Sequence, residues 1–331
     1  MNPADPSSFN HRTEQLSTGR TYHFVDQKPA LTATATAAGH SHDELTILCV
    51  HGFPDIWYGW RYQIGPWVRA GYRVVVPDML GYGGTDKPLA VEEYSTRRLS
   101  DDLVALLDLI GVSKAIVIGH DWGSYTAGRF ALWHPDRLLA LGLLSVPFSP
   151  PNKEYISLKD VVKRVPNYAY QMYFANPEST KEIEANFERF LRLMYGIEVP
   201  EINPMVGENM REVIVNPREF EYVGSQMRSN MNGPLSYYRT SKIRFEEEKA
   251  AGLPSYLSPD LPVLHIWGTK DGTATPGMLT KMRESIGRLE EIRLPEKRHW
   301  IMVQGKDEVS REVLKWLNEL GLGLVNFVTK L

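Results

Sequence analysis

The sequence predicts an α/β fold in which a mostly parallel sheet is covered by helices on both faces and a helical lid is inserted into it. Two observations lead to this prediction. Over residues 46–144, short and nearly continuous apolar runs alternate with segments of helical periodicity, which is typical of a buried parallel sheet. The alternation stops near residue 147 and resumes near residue 253, and the stretch between is rich in aromatic residues and Met. We therefore expect core segments at 1–146 and 253–331 and a lid at 147–252.

Each element follows from its own pattern. Leu99, Leu103, Leu106 and Ile110 recur on one helical face, which predicts an amphipathic helix that ends at Gly111. The residues before position 21 are expected to form a polar arm. Apolar runs predict strands at 21–25, 46–50, 73–76, 115–118, 139–144, 263–267 and 290–294. Further helices are predicted at 124–133, 278–286 and 309–320.

Composition excludes several classes of function. The chain has 331 residues and a formal net charge of −3, with dispersed Lys and Arg, so we expect no nucleic-acid partner. No apolar run reaches the roughly 18 residues that span a membrane, and the first residues lack the apolar core of a signal peptide. The single cysteine, Cys49, lies in an apolar strand, which indicates a buried thiol. Because one cysteine forms no intrachain disulfide, we expect a reducing compartment and a cytoplasmic location.

Two polar clusters are interpreted as surface features. His40 and His42 could suggest a metal, but no further ligand cluster supports them, so we expect an exposed loop and no metal or cofactor. The charged run at 246–249 is interpreted as a solvated helix face.

The most informative stretch is Gly119-His120-Asp121-Trp122-Gly123. It lies between an apolar strand and a helical segment, which is the layout of a strand–turn–helix elbow that presents a nucleophile. The central residue is Asp121, where Ser or Cys would indicate acyl transfer. The ordinary pKa of an Asp carboxyl is about 3.9, so it needs no base to activate it at neutral pH. Attack of a carboxylate on an sp³ carbon leaves an ester, which activated water can cleave. The elbow therefore indicates displacement at a strained or halogenated carbon.

Partners for this nucleophile follow later in the chain. Asp271 comes shortly after the strand at 263–267, and His299 shortly after the strand at 290–294. In open α/β sheets, reactive groups lie beyond the carboxyl ends of the strands. The order nucleophile, acid and histidine is that of α/β-hydrolases, so we expect a catalytic triad.

The same fold needs two backbone N–H groups to stabilise an oxyanion. His51-Gly52-Phe53-Pro54 directly follows the strand at 46–50, where this fold supplies one of the two. Trp122, the residue after the nucleophile, supplies the other. We expect His51 to be a hydrogen-bonded strand-end residue, and His120 and His265 to serve packing.

Over nearly its whole length the chain resembles the α/β-hydrolase family and, within it, the soluble epoxide hydrolases, and five motifs carry the resemblance. They are HGFPDIWYGWR (51–61), PDMLGYGGTDKP (77–88), GHDWGS (119–124), YQMYFANPE (170–178) and GPLSYYR (233–239). The resemblance implies that Asp121 is the nucleophile, His299 the base and Asp271 its orienting acid.

The resemblance also implies the groups around the reacting atoms. The amides of Phe53 and Trp122 would form the oxyanion hole, and the Phe53–Pro54 peptide would be cis. Tyr170 and Tyr238 match the two lid tyrosines that bind the epoxide oxygen. An epoxide oxygen leaves as an alkoxide and needs a proton, which Tyr carries at neutral pH because its ordinary pKa is about 10.

The chain departs from the family pattern at two positions. The chain has Arg298 before the histidine, where Gly is common, and Ser236 where Asn is common.

Haloalkane dehalogenases resemble this chain at the elbow but have Asn where this chain has Phe53, and fluoroacetate dehalogenases have Arg where Trp122 stands. A haloalkane or haloacid dehalogenase remains the alternative enzyme, and a non-catalytic hydrolase-fold receptor the alternative from another class.

The expected partner is a small apolar epoxide. This expectation rests on aromatic residues and Met in the lid, namely Tyr155, Tyr168, Tyr173, Phe174, Phe187, Phe190 and Met194. The sequence leaves the physiological substrate and its stereochemistry open, and it allows a homodimer.

Overall fold

An eight-stranded sheet forms the centre of the protein in a computed structural model that describes residues 1–30, 45–196, 216–228 and 230–323. The strands lie side by side in the order β1-β2-β4-β3-β5-β6-β7-β8. Strand β2 runs antiparallel to both of its neighbours, and the other adjacent pairs are parallel. The strands are β1 (His11–Gln15), β2 (Thr21–Gln27), β3 (Thr46–Val50), β4 (Arg73–Pro77), β5 (Ala115–His120), β6 (Leu138–Leu144), β7 (Pro262–Gly268) and β8 (Arg288–Leu294).

The central strands are buried along their whole length. Every residue of β3, β4 and β5 is buried, which explains their continuous apolar runs. Helices cover the sheet, namely α1 (Arg61–Arg69), α2 (Thr96–Leu109), α3 (Trp122–Trp133), α11 (Pro276–Ser285), α12 (Ile301–Gln304) and α13 (Lys306–Glu319). Because β5, β7 and β8 are parallel, the segments that follow them meet at one edge of the sheet.

Seven helices connect β6 to β7 among the residues that the structure describes. They are α4 (Leu158–Arg164), α5 (Tyr170–Ala175), α6 (Glu178–Ala185), α7 (Phe187–Met194), α8 (Pro217–Met227), α9 (Asn232–Arg239) and α10 (Ser241–Ala251). In the described part of this stretch no strand is found, in agreement with the predicted helical character. The lid boundaries at 147 and 252 stay a prediction. None of the described helices is both long and apolar enough to cross a membrane.

The predicted strands and helices are confirmed in place, but two polar segments differ from expectation. The expected polar arm contains β1, which pairs with β2 at the edge of the sheet. Its side chains are exposed or half-buried, so backbone hydrogen bonds hold it and no apolar pattern reveals it. The charged run at 246–249 is not solvated throughout, because Glu248 is 6% exposed and pairs with Arg129 of α3. His40 and His42 lie outside the described residues.

Candidate active site

The elbow residue Asp121 lies between the end of β5 and the start of α3. Its backbone has φ 55° and ψ −120°, a conformation that costs a non-glycine residue on the order of 1–3 kcal/mol. The flanking glycines allow the tight turn. A Cβ on Gly119 would lie 2.1 Å from the carbonyl oxygen of Gly123, and a Cβ on Gly123 would lie 2.0 Å from that of Val50. The sequence therefore folds here into a turn that presents the Asp121 carboxylate at the carboxyl edge of the sheet.

The structure brings together the three residues of the predicted triad. The His299 Nε2 lies 3.4 Å from Asp121 Oδ2, and its Nδ1 lies 3.0 Å from Asp271 Oδ2. The other carboxylate oxygen of Asp271 accepts hydrogen bonds from the Thr273 amide at 2.9 Å and the Thr273 hydroxyl at 2.8 Å. Asp271 is therefore held from both sides, and the imidazole bridges the two carboxylates.

The three charges shift one another's pKa. Burial alone would raise the pKa of both carboxyls, but the adjacent His299 holds the pKa of Asp121 below its usual value and that of Asp271 at about 2. Burial alone would lower the pKa of His299, yet the charge of Asp271, together with Asp121, raises it to about 10. At neutral pH the site therefore holds two carboxylates around an imidazolium.

One backbone N–H already contacts the nucleophile. The Phe53 amide donates to Asp121 Oδ1 at 2.8 Å. Trp122 is the first residue of α3. The N–H groups in the first turn of a helix have no acceptor within that helix, so the Trp122 N–H can bind another group. The predicted cis peptide between Phe53 and Pro54 is confirmed. His51, as expected, is a buried strand-end residue whose ring bonds to the Gly52 carbonyl and the Met79 amide, each at 2.9 Å.

The two lid tyrosines face the nucleophile across one cavity. Tyr170 begins α5 and Tyr238 lies in α9, and both line a cavity of about 220 Å³ together with Asp121. Their ring centroids are 6.4 Å apart. Tyr170 is 39% exposed as a residue, but burial and the nearby Asp121 charge raise the pKa of its hydroxyl. The same two causes raise the pKa of Tyr238. Both hydroxyls therefore carry their proton at neutral pH.

The residues that line the cavity are only partly those named from the lid. Of the seven, Tyr155 and Tyr168 line it, whereas Phe174 and Phe187 are buried in the hydrophobic core. Composition does not encode how the lid helices pack. Apolar and aromatic side chains nevertheless make up most of the lining, among them Val146, Ile156, Leu158 and Phe245. Charged and amide side chains complete the lining, including Arg129, Asn152, Gln171, Arg244 and Glu248.

Several residues that hold His299 and Asp271 in place were not predicted from the sequence. The Ser145 hydroxyl and the His120 Nε2–H both donate to the backbone carbonyl of His299, at 2.7 and 2.9 Å. His120, expected to serve packing, thus also holds the backbone of the predicted base, and burial lowers the pKa of His120 to about 4. Thr273 could have been found, because Asp-x-Thr is a typical turn in which the Asp side chain accepts from the backbone two residues on. Ser145 carries no such local signal.

The two departures from the expected motifs have local partners. The Arg298 amide donates to Gln304 Oε1 at 3.0 Å, which anchors the segment before His299. The Ser236 hydroxyl donates to the Asn232 carbonyl within α9 at 2.7 Å. Within the described ranges, no group of three or more His, Cys, Asp or Glu side chains is placed to hold a metal.

Comparison with known proteins agrees with this geometry. The model of the α/β hydrolase fold family matches residues 46–306. Epoxide hydrolase A of Mycobacterium tuberculosis is 31% identical over 303 residues, which cover 83% of this chain and 91% of that protein. The chain belongs to the epoxide hydrolase family of α/β-hydrolases. Another family member, bifunctional epoxide hydrolase 2 of Rattus norvegicus, is 30% identical over 95% of this chain, which spans 56% of that protein's length.

Solved structures of the family have the same fold. An epoxide hydrolase from an endophytic Streptomyces superposes with a TM-score of 0.79 at 27% identity, covering 96% of this chain and 97% of that one. Epoxide hydrolase A from Mycobacterium thermoresistibile superposes with a TM-score of 0.76 at 27% identity, covering 94% and 98%. Both comparisons cover nearly the whole chain.

In the expected mechanism Asp121 forms an ester, which water activated by His299 then cleaves, and the titrations of this site predict a different pH profile for each of these two half-reactions. Ester formation needs ionised Asp121 and protonated tyrosines, whose pKa values are lowered and raised respectively, so its rate should be flat between about pH 6 and pH 9. Ester cleavage needs neutral His299, so its rate should rise with pH. Rapid-quench kinetics with enzyme in excess separates the two. A rate of ester formation that changes with the titration of a group near pH 7 would contradict the roles assigned to Asp121 and the tyrosines.

Proposed function

We propose that the protein is an epoxide hydrolase that converts epoxides to vicinal diols through a covalent ester on Asp121. One observation carries the proposal. The Asp121 carboxylate faces the cavity together with the protonated side chains of Tyr170 and Tyr238, while His299 approaches it at 3.4 Å. A nucleophile, two acids for the leaving oxygen and a base for water are thus combined at one centre.

The first half-reaction opens the ring. Asp121 Oδ2 attacks an epoxide carbon, the bond from that carbon to the ring oxygen breaks, and the oxygen takes a proton from Tyr170 or Tyr238. Attack through Oδ2 leaves Oδ1 as the ester carbonyl oxygen, which the Phe53 amide already binds at 2.8 Å. The product is a hydroxyalkyl ester and one tyrosinate.

The second half-reaction cleaves the ester. Once Asp121 is esterified its negative charge is gone, so one of the two charges that raise the pKa of His299 is removed. The imidazolium therefore releases its proton to the solvent, and the neutral imidazole takes a proton from water, whose oxygen attacks the ester carbonyl. The oxyanion is stabilised by the Phe53 and Trp122 amides. On collapse the leaving oxygen takes a proton from His299 and the new carboxyl group returns one to it, so that the diol is released and Asp121 is again a carboxylate beside the imidazolium. A proton from the solvent restores the tyrosine.

The alternative functions have less support from the site. A departing halide needs N–H donors, yet Phe53 has no side-chain donor at the position where haloalkane dehalogenases have Asn. A non-catalytic receptor would not require the charged triad, which is geometrically complete here. The cytoplasmic location and the homodimer stay predictions.

Isotope labelling tests the proposed mechanism. With enzyme in excess, one turnover of styrene oxide in ¹⁸O-water should give largely unlabelled diol, because the diol carries away an oxygen of Asp121. The label should appear in the peptide that contains Asp121, as read by mass spectrometry. Fully labelled first-turnover diol would show that water attacks the epoxide directly. Release of halide from haloalkanes without diol formation from any epoxide would favour the dehalogenase.

A further inference from the structure

One face of helix α10 forms part of the cavity wall. Ser241, Arg244, Phe245 and Glu248 all line the cavity, and their spacing of three, four and seven residues places them on one side of the helix. Two of the four are charged. This wall therefore differs from the apolar surface that suits an uncharged epoxide.

The charge of Glu248 is balanced within the protein. Its Oε1 accepts from the Arg129 Nε at 2.6 Å, and both side chains are almost fully buried. Arg129 also donates to the Ser149 carbonyl at 2.6 Å and to the Tyr125 hydroxyl at 3.0 Å. The Arg129–Glu248 pair thus contributes little net charge to the cavity.

The charge of Arg244 is not balanced in this way. Its Nη1 donates to the Tyr237 carbonyl at 2.8 Å and to Thr240 Oγ1 at 2.7 Å, both uncharged acceptors. In the part of the chain that the structure describes, no carboxylate forms an ion pair with its guanidinium, and its buried Nε–H has no protein acceptor. Arg244 is therefore a cation at the cavity wall with unused donors.

The position of Arg244 relative to the nucleophile is fixed by two aromatic rings. Its guanidinium carbon lies 5.0 Å from the ring centroid of Trp122 and 5.2 Å from that of Tyr125. Stacking of this kind holds a guanidinium in place. Arg244 and Asp121, the residue before Trp122, line the same cavity.

We propose that Arg244 binds a carboxylate on the substrate, so that the preferred substrates are short anionic epoxides; this inference rests on the proposed function. An anion entering the cavity approaches the negative Asp121 and loses hydration, which is unfavourable unless a cation pairs with it. An arginine with unused N–H donors supplies such a pair, because guanidinium binds carboxylate with charge-assisted hydrogen bonds. Because Arg244 and Asp121 line one cavity of about 220 Å³, a substrate that reaches both is short, in contrast to a long chain with a terminal acid.

Matched substrates test the inference. Styrene oxide bearing a para-carboxylate and its para-carboxamide analogue have nearly the same shape and differ in charge. We expect the wild type to prefer the carboxylate by about 10- to 100-fold in kcat/KM, the range of one charge-assisted hydrogen bond. Arg244→Gln should remove most of this preference and Arg244→Lys should retain part of it. The measured quantity is the ratio of kcat/KM for the carboxylate to kcat/KM for the carboxamide within each variant, because a packing defect lowers both values together.

Lys242→Gln is the matched control, since it removes a positive charge from the same helix at an exposed position outside the cavity lining. Its ratio should equal that of the wild type. A wild-type preference for the carboxamide, an unchanged ratio in Arg244→Gln, or an equal loss in Lys242→Gln would each overturn the role of Arg244. Turnover of unsubstituted styrene oxide tests the proposed function separately. If the wild type did not turn it over, the proposed function would be wrong, independently of the role of Arg244.

Discussion

Replacing His299 with Gln should abolish turnover while the protein accumulates a stable ester on Asp121. Ester formation needs no base, whereas water activation depends on the imidazole, so the steady-state rate should fall by about 10⁴-fold or more. Intact-protein mass spectrometry should show an increase equal to one substrate. The experiment is best run near pH 8, because loss of His299 removes the main cause that lowers the pKa of the buried Asp121.

A surface histidine provides the control for this variant. His134 bonds to Asp101 away from the cavity, so His134→Gln should turn over normally and show no added mass. Normal turnover by His299→Gln would remove His299 from the mechanism. Asp121→Asn is the blank, because it lacks the nucleophile and should gain no mass. A His299→Gln variant that binds substrate but neither turns over nor gains mass would show that the covalent route is wrong.

The double variant Tyr170→Phe, Tyr238→Phe should lose nearly all epoxide ring opening. Each hydroxyl can donate a proton to the developing alkoxide, and the loss of one comparable donor typically costs about 10²- to 10³-fold. Each single variant should therefore slow ester formation by roughly that factor, and the double variant by more than either. Single-turnover kinetics of ester formation is the appropriate measurement, because steady-state rates also contain the hydrolytic step.

Tyr168→Phe is a matched control in the same wall of the cavity. The Tyr168 hydroxyl donates to the Thr273 carbonyl at 3.0 Å, so it is engaged away from the reacting oxygen. This variant should open epoxides at close to the wild-type rate. If the double variant opened epoxides as fast as the wild type, the tyrosine assignment would be wrong and a dehalogenase would become the better explanation.

The central sheet was predictable because its signal is local. Strand β3 was expected at the positions where it lies, and β5 and β6 differ from expectation by a residue or two at their ends. A strand buried on both faces must be apolar throughout, so its sequence is distinctive. Strand β1 has no such requirement, since it lies at the edge and is held by backbone hydrogen bonds to β2.

The positions of the three triad residues were predictable for a similar reason, whereas the side chains that line the cavity were not. Asp121 is marked by its flanking glycines, and Asp271 and His299 follow strands whose order places them at the same edge. The environment of Glu248 depends instead on the contact between α10 and Arg129, more than a hundred positions earlier in the chain. Contacts of that kind arise from packing between helices, which leaves no periodic pattern in either segment.

The pairing of β6 with β7 has a consequence for synthesis. These neighbours are joined only after the intervening segment has been made, since β6 ends at Leu144 and β7 begins at Pro262. At about 5–20 residues per second, the ribosome needs roughly 6–24 seconds to cover this distance. During that interval an apolar strand with unpaired backbone groups is exposed on the nascent chain, which invites association with other chains. An added chaperone that covers exposed apolar strands, or slower initiation that lowers the concentration of nascent chains, should therefore raise the recovered yield.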